Sequence, residues 1–114
     1  MSFAYAKLKE IGYVAGSSTA ADIFTTTGTN DYVRLIILHN GNTTAEVVRL
    51  YCVPSASDGT FDSTTQFYKE TLEPSETQMI EFPIPGLVMD TGDAIGGDTT
   101  TASKVTVQIY GGTE

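Results

Sequence analysis

Tryptophan is absent from this chain of 114 residues, and cysteine and histidine occur once each. With Cys52 alone, no intrachain disulfide forms, and with only His39 beside it the chain cannot supply the four ligands of a closed zinc site. Basic residues are also scarce: six against 14 acidic ones, a formal net charge of -8. That balance repels nucleic-acid phosphates over the Debye length, so no nucleic acid is expected as a partner. No stretch approaches the roughly 20 apolar residues needed to span a bilayer, so no membrane is expected either. Met1 to Lys7 lacks the basic start and unbroken apolar run of a secretory signal. The expectation is a chain made in a cytoplasm and soluble there.

Patterns that carry catalysis are missing in the same way. There is no Gly-x-Ser-x-Gly elbow, and the Gly96-Gly97 pair is not followed by the Lys-Ser/Thr of a phosphate loop. Cys52 lies in an apolar run with Val48 and Leu50, where it reads as a small core residue; a thiolate nucleophile would need His39, which sits where another strand ends. Paired carboxylates of the glycosidase kind want an aromatic cleft, for which a short chain without tryptophan is poorly equipped. The expectation is no enzyme and no cofactor.

What the chain has is threonine, its commonest residue, with serine, glycine and asparagine, a composition that favours strands and turns. No segment sustains apolar residues at i, i+3, i+4 and i+7, so helices are not expected. Residues 1–16 alternate aromatics with small and charged residues and read as an N-terminal arm or first strand, followed by a β-sandwich domain over 17–114. The run Tyr32 to His39, bounded by Asn30-Asp31 and Asn40-Gly41, is the strongest strand. Because Leu35 to Leu38 are apolar on both faces, one face needs cover from beyond its own sheet.

A second strand runs from Ala45 to Val53, with Val48, Leu50 and Cys52 on one face and Val47, Arg49 and Tyr51 on the other. Further strands are read over Gln66 to Leu72, Thr77 to Phe82, Leu87 to Met89 and Lys104 to Tyr110, the last turning Val105, Val107 and Ile109 inward. Pro83-Ile84-Pro85-Gly86 cannot sit in a central ladder and marks a corner. Seven or eight short strands at such spacing predict an all-β single sandwich, a jelly roll or related Greek key.

Two kinds of site remain open. Asp90, Asp93 and Asp98 cluster around turn glycines and are weak calcium candidates, although no EF-hand spacing is present and the same residues are good turn formers. Tyr13, Tyr51, Tyr68 and Tyr110 offer rings for sugar stacking, against the plainer reading of sheet-face packing. As interface candidates the sequence offers Phe3, Tyr5 and Tyr13 from the N-terminal segment and Ile36 and Leu38 from the doubly apolar strand.

The ordered set Leu38-His39-Asn40-Gly41, Val48 to Ser55 (Val-Arg-Leu-Tyr-Cys-Val-Pro-Ser), Leu72 to Thr77, Pro85 to Met89, Gly92 to Ile95 and Ser103 to Val107 resembles the small β-sandwich structural proteins of tailed bacteriophage virions. The likeness covers roughly residues 20 to 110. It implies a capsid decoration (cement) protein on the virion surface, with the major capsid protein and further copies of itself, as a trimer, for partners. It carries over no catalytic residue. The alternative reading is a carbohydrate-binding or adhesin-like module of a tail fibre or surface protein.

Overall fold

The computed structural model describes residues 4–16, 19–55 and 60–114; the interface candidate Phe3 lies outside them. The alternation seen in the sequence becomes nine strands: β1 (Ala4–Tyr13), β2 (Ala21–Thr25), β3 (Asn30–Asn40), β4 (Glu46–Val53), β5 (Gln66–Leu72), β6 (Thr77–Glu81), β7 (Leu87–Asp90), β8 (Ala94–Thr99) and β9 (Val105–Thr113). No α-helix occurs among the described residues.

All pairings are antiparallel and fall into two sheets. One runs β1-β9-β3-β6, with β7 also on β3; the other runs β2-β8-β4-β5. Strands β6 and β7 bond to successive lengths of β3 and are separated by the Pro83 to Gly86 corner, where the Ile84–Pro85 peptide is cis. Counted as one interrupted strand, they give eight strands in two four-stranded sheets, the order of a jelly roll. Residues 4–13 are the edge strand of the first sheet, bonded along β9 from Ala4↔Thr113 to Tyr13↔Thr106, and so belong to the sandwich.

The core lies between the sheets. Val105, Val107 and Ile109 of β9 point into it as the period-2 pattern requires, and Val48 and Leu50 of β4 with Ile95 of β8 meet them from the other side.

Strand β3 departs from strict alternation. Val33 pairs with Gly111 and Leu35 with Tyr110, so Arg34 is an extra residue without a partner on β9. A bulge of one residue reverses which face each later side chain takes. Counting by twos from inward-facing Val33 would turn Ile36 and Leu38 outward; the bulge turns them inward, and both are 0% exposed. They are core residues and not the interface candidates the sequence suggested. Leu35 and Ile37, half-buried, take the outer face instead.

Two buried polar residues tie the sheets at one end. The Asn40 amide donates to the carbonyls of Thr44 and Leu72, each at 3.0 Å, and its oxygen accepts the Asn42 N–H at 2.8 Å, so the end of β3 is fastened to the end of β5. Glu46, also buried, accepts from Asn42 Nδ2 at 2.9 Å and from the Thr101 N–H at 2.8 Å. Burial opposes its charge, but these hydrogen bonds outweigh that and hold its carboxyl below the ordinary value of 4.5.

Two measurements follow from this packing. Ile36→Ala and Leu38→Ala should each cost about 2–5 kcal/mol in urea unfolding, while Met79→Ala on the outer face should stay within about 0.5 kcal/mol of the parent. Because the folded Glu46 pKa is depressed, its contribution is present above the unfolded value of 4.5 and lost as pH falls through the folded value. Glu46→Gln should therefore be less stable than the parent near neutral pH, with the gap closing as the buffer is acidified below about pH 4.

Candidate functional site

The two outer faces of the sandwich differ. On the β2-β8-β4-β5 sheet the chain itself covers the outer face along β8 and the adjoining end of β4. Every residue of β8 is buried, and the Phe61 ring lies over Gly96 and against Tyr51, with centroids 5.9 Å apart. On the same sheet Asp98 accepts from Arg49 Nη1 and from the Tyr51 hydroxyl, each at 2.9 Å. Burial, and then the Asp98 carboxylate, push the Tyr51 hydroxyl pKa up.

This network settles where the calcium candidates stand. Asp98 is already neutralised by Arg49 and lies five residues along β8 from Asp93, about 16 Å in an extended strand. Asp93 spends both oxygens on backbone donors, Oδ1 on Ser55 N at 3.0 Å and Oδ2 on Asp90 N at 2.9 Å, which is turn chemistry. Asp90, Asp93 and Asp98 do not converge, and among the described residues no three His, Cys, Asp or Glu side chains do.

Cys52 and His39 are likewise apart. Cys52 is on β4 of one sheet, with its thiol pKa raised by burial and by the Asp93 charge; His39 is on β3 of the other, its Nδ1 2.8 Å from Thr77 Oγ1. The dyad considered from sequence is not formed.

The outer face of the other sheet is open. Register across β1, β9, β3 and β6 or β7 arranges it in rows: Tyr13, Thr106, His39 and Thr77; then Gln108, Ile37 and Met79 beside the Ile11 bulge; then Lys7, Tyr110, Leu35 and Glu81; then Tyr5, Gly112, Tyr32 and Val88. Among the described residues, six of the seven exposed large hydrophobics are here or on the adjoining corner: Tyr5, Ile11, Tyr13, Met79, Ile84 and Val88; the seventh, Phe67, is on the other sheet. The structure thus brings Tyr5 and Tyr13 onto one exposed face. Sequence reading missed Met79, Ile84 and Val88, whose orientation depends on register with β3.

At the Tyr5 end of this face lies a cleft of about 540 Å³ lined by Tyr5, Ala6, Lys7, Arg34, Tyr110 and Gly111. It adjoins a second hollow of about 310 Å³ lined by Tyr5, Tyr32, Arg34, Ile84 and Pro85. Arg34, the bulge residue, stands where the two meet. Its stem passes over Gly86, whose φ of +109° and lack of a side chain leave the room; a Cβ there would lie 2.9 Å from Arg34 Cδ. A Cβ on Gly111 would collide with the Tyr32 carbonyl. Arg34 Nε donates to the Phe82 carbonyl at 3.4 Å, and among the described residues no carboxylate pairs with the guanidinium. Tyr32 donates to Glu114 at 2.5 Å, and that bond is the main reason its hydroxyl pKa is raised. A lone arginine inside an apolar strand was the one available sequence signal for this site. The bulge that aims it was not readable.

Of the other tyrosines considered for sugar stacking, Tyr51 is buried and Tyr68 half-buried against the core, while Tyr13 and Tyr110 belong to the open face. The fold defines the chain as a jelly-roll β-sandwich with one partly covered and one open face. Comparison with protein-family profiles, curated proteins and solved structures finds no match.

The environment of Cys52 sets a third measurement. In the folded protein its reaction with a disulfide reagent near pH 8 should be at least tenfold slower than in the urea-unfolded chain, since burial holds the thiol protonated. Equal rates would mean that this part of the sandwich opens readily.

Proposed function

We propose that the protein is a non-enzymatic assembly protein that docks through the open face of the β1-β9-β3-β6 sheet, acting as a capsid decoration (cement) protein of a tailed-bacteriophage virion. The observation that carries the docking reading is the segregation of exposed apolar side chains of the described residues onto one face, while the centre of the opposite face holds Phe61 on Tyr51 and the Arg49–Asp98 pair. Contiguous apolar exposure of this kind marks interaction surfaces. The choice of a virion shell as partner rests on the sequence resemblance, to which the jelly roll adds a fold that recurs in viral capsid proteins.

On this reading the contact is made by the Ile11, Tyr13, Ile37 and Met79 end of the face. Its partners are the major capsid protein and further copies of the chain arranged as a trimer. A cement protein that binds only the expanded shell stabilises it by mass action, with the gain set by free concentration relative to Kd and repeated over many copies. The net charge of -8 leaves the exposed remainder soluble and keeps it off nucleic acid.

Cryo-electron microscopy of intact particles from the source should place the domain at threefold and quasi-threefold positions of the shell, with the Tyr13 and Met79 end against it. The combined variant Tyr13→Asp and Met79→Asp should retain the parent's thermal transition but fail to decorate shells lacking the protein. Empty axes, or decoration unchanged by that variant, would remove the cement reading.

A further inference from the structure

We propose that the Arg34 cleft is a binding site for an acidic glycan, with a sugar carboxylate held by the Arg34 guanidinium and the pyranose ring lying against tyrosine. The proposal concerns the opposite end of the open face from the shell contact and does not rest on that reading.

Charge makes the first argument. The chain has 14 acidic and six basic residues, yet two of the six, Lys7 and Arg34, line this one cleft and no carboxylate lines either hollow. Glu81 and Glu114, the acidic residues nearest in register, are not part of the lining. Lys7 has a partner in Glu10, but at 3.7 Å and largely exposed it is weakly held. Arg34 has no acidic partner among the described residues. Glu114 accepts from Tyr32 at the second hollow, so it is the first hollow, lined by both Lys7 and Arg34, that favours an anion.

Construction makes the second. Arg34 is the inserted residue of a β-bulge, a device that re-aims a side chain next to a site. Gly86 gives its stem space, its Nε donates to the Phe82 carbonyl at 3.4 Å, and it lines both hollows with no carboxylate paired to it among the described residues. A guanidinium presented in this way matches the two oxygens of a carboxylate.

Shape makes the third. The hollows of about 540 and 310 Å³ share Tyr5 and Arg34. Each is in the range of small-ligand sites, so together they suit two linked sugar units with the charged group at the junction. Tyr110 walls one hollow and Tyr32 the other, while Tyr5, 84% exposed, stands between them. Tyrosine rings suit the apolar faces of pyranoses, and an open cleft lets a polymer run on at both ends.

The test is titration of the full chain with trigalacturonate, followed by calorimetry and by NMR shifts, beside maltotriose as a neutral control. Saturable binding of the acidic trisaccharide is expected, with maltotriose bound at least tenfold more weakly. Arg34→Gln should weaken the acidic ligand by about tenfold to a hundredfold. Tyr110→Ala should weaken it by about tenfold, and both variants should keep the parent's thermal transition. If Arg34→Gln proves unfolded, Lys7→Gln is the second variant and should lower affinity and its salt dependence. Absence of binding to trigalacturonate, sialyllactose and alginate oligomers alike at millimolar concentration would overturn the proposal. So would equal binding of maltotriose, or an affinity indifferent to the Arg34 and Lys7 substitutions.

Discussion

The phase of β3 governs the rest of the sandwich. This strand carries β9 along one side and β6 and β7 along the other, so its inward set decides which side chains of three neighbouring strands face the core. Its two halves are out of step by one residue, and the bulge at Arg34 is what lets Val33 and the Ile36, Leu38 pair point the same way. Without it, half of the strand would turn its apolar residues to solvent, at roughly 1.5–3 kcal/mol for each large side chain. The same inserted residue lines the cleft, so a correction forced by packing also shapes the open face.

What could be read from the sequence was whatever depends on neighbours in the chain. Terminal strand β9, with Val105, Val107 and Ile109 inward, the turn at Asn40-Gly41 and the corner at Pro83 to Gly86 follow from period, turn chemistry and the missing proline donor. The all-β sandwich followed from their sum. What could not be read needed partners distant in sequence. The apolar run from Leu35 to Leu38 signalled a strand, but finding Ile36 and Leu38 inward required a phase that only pairing with Gly111 and Tyr110 reveals.

The aspartates teach the same lesson. Asp90, Asp93 and Asp98 lie within nine positions of one another, close enough in sequence to suggest a shared ion. Yet Asp98 is in a strand, and its oxygens are taken by Arg49 and Tyr51, 49 and 47 residues upstream. Arg49 and Asp98 meet because β4 and β8 pair in a register that sets them opposite each other. Phe61, from the segment before β5, packs on Gly96 and Tyr51 of the same sheet and covers part of its outer face.

That asymmetry allows the open face to hold two contacts without conflict. From the Tyr13 row to the Tyr5 row the face extends six residues along β9, from Thr106 to Gly112, or about 20 Å. The Tyr13 and Met79 end is apolar, with no lysine or arginine in its two rows, and is suited to being covered by protein. The Tyr5 end carries Arg34 and Lys7, and a guanidinium buried under an apolar partner without a carboxylate would oppose association. A partner lying over the whole face would have to bring its own acid to Arg34, whereas one covering only the Tyr13 end leaves the cleft facing solvent. The distribution of charge along the face therefore favours the second arrangement, in which the domain is held at one end and presents the other.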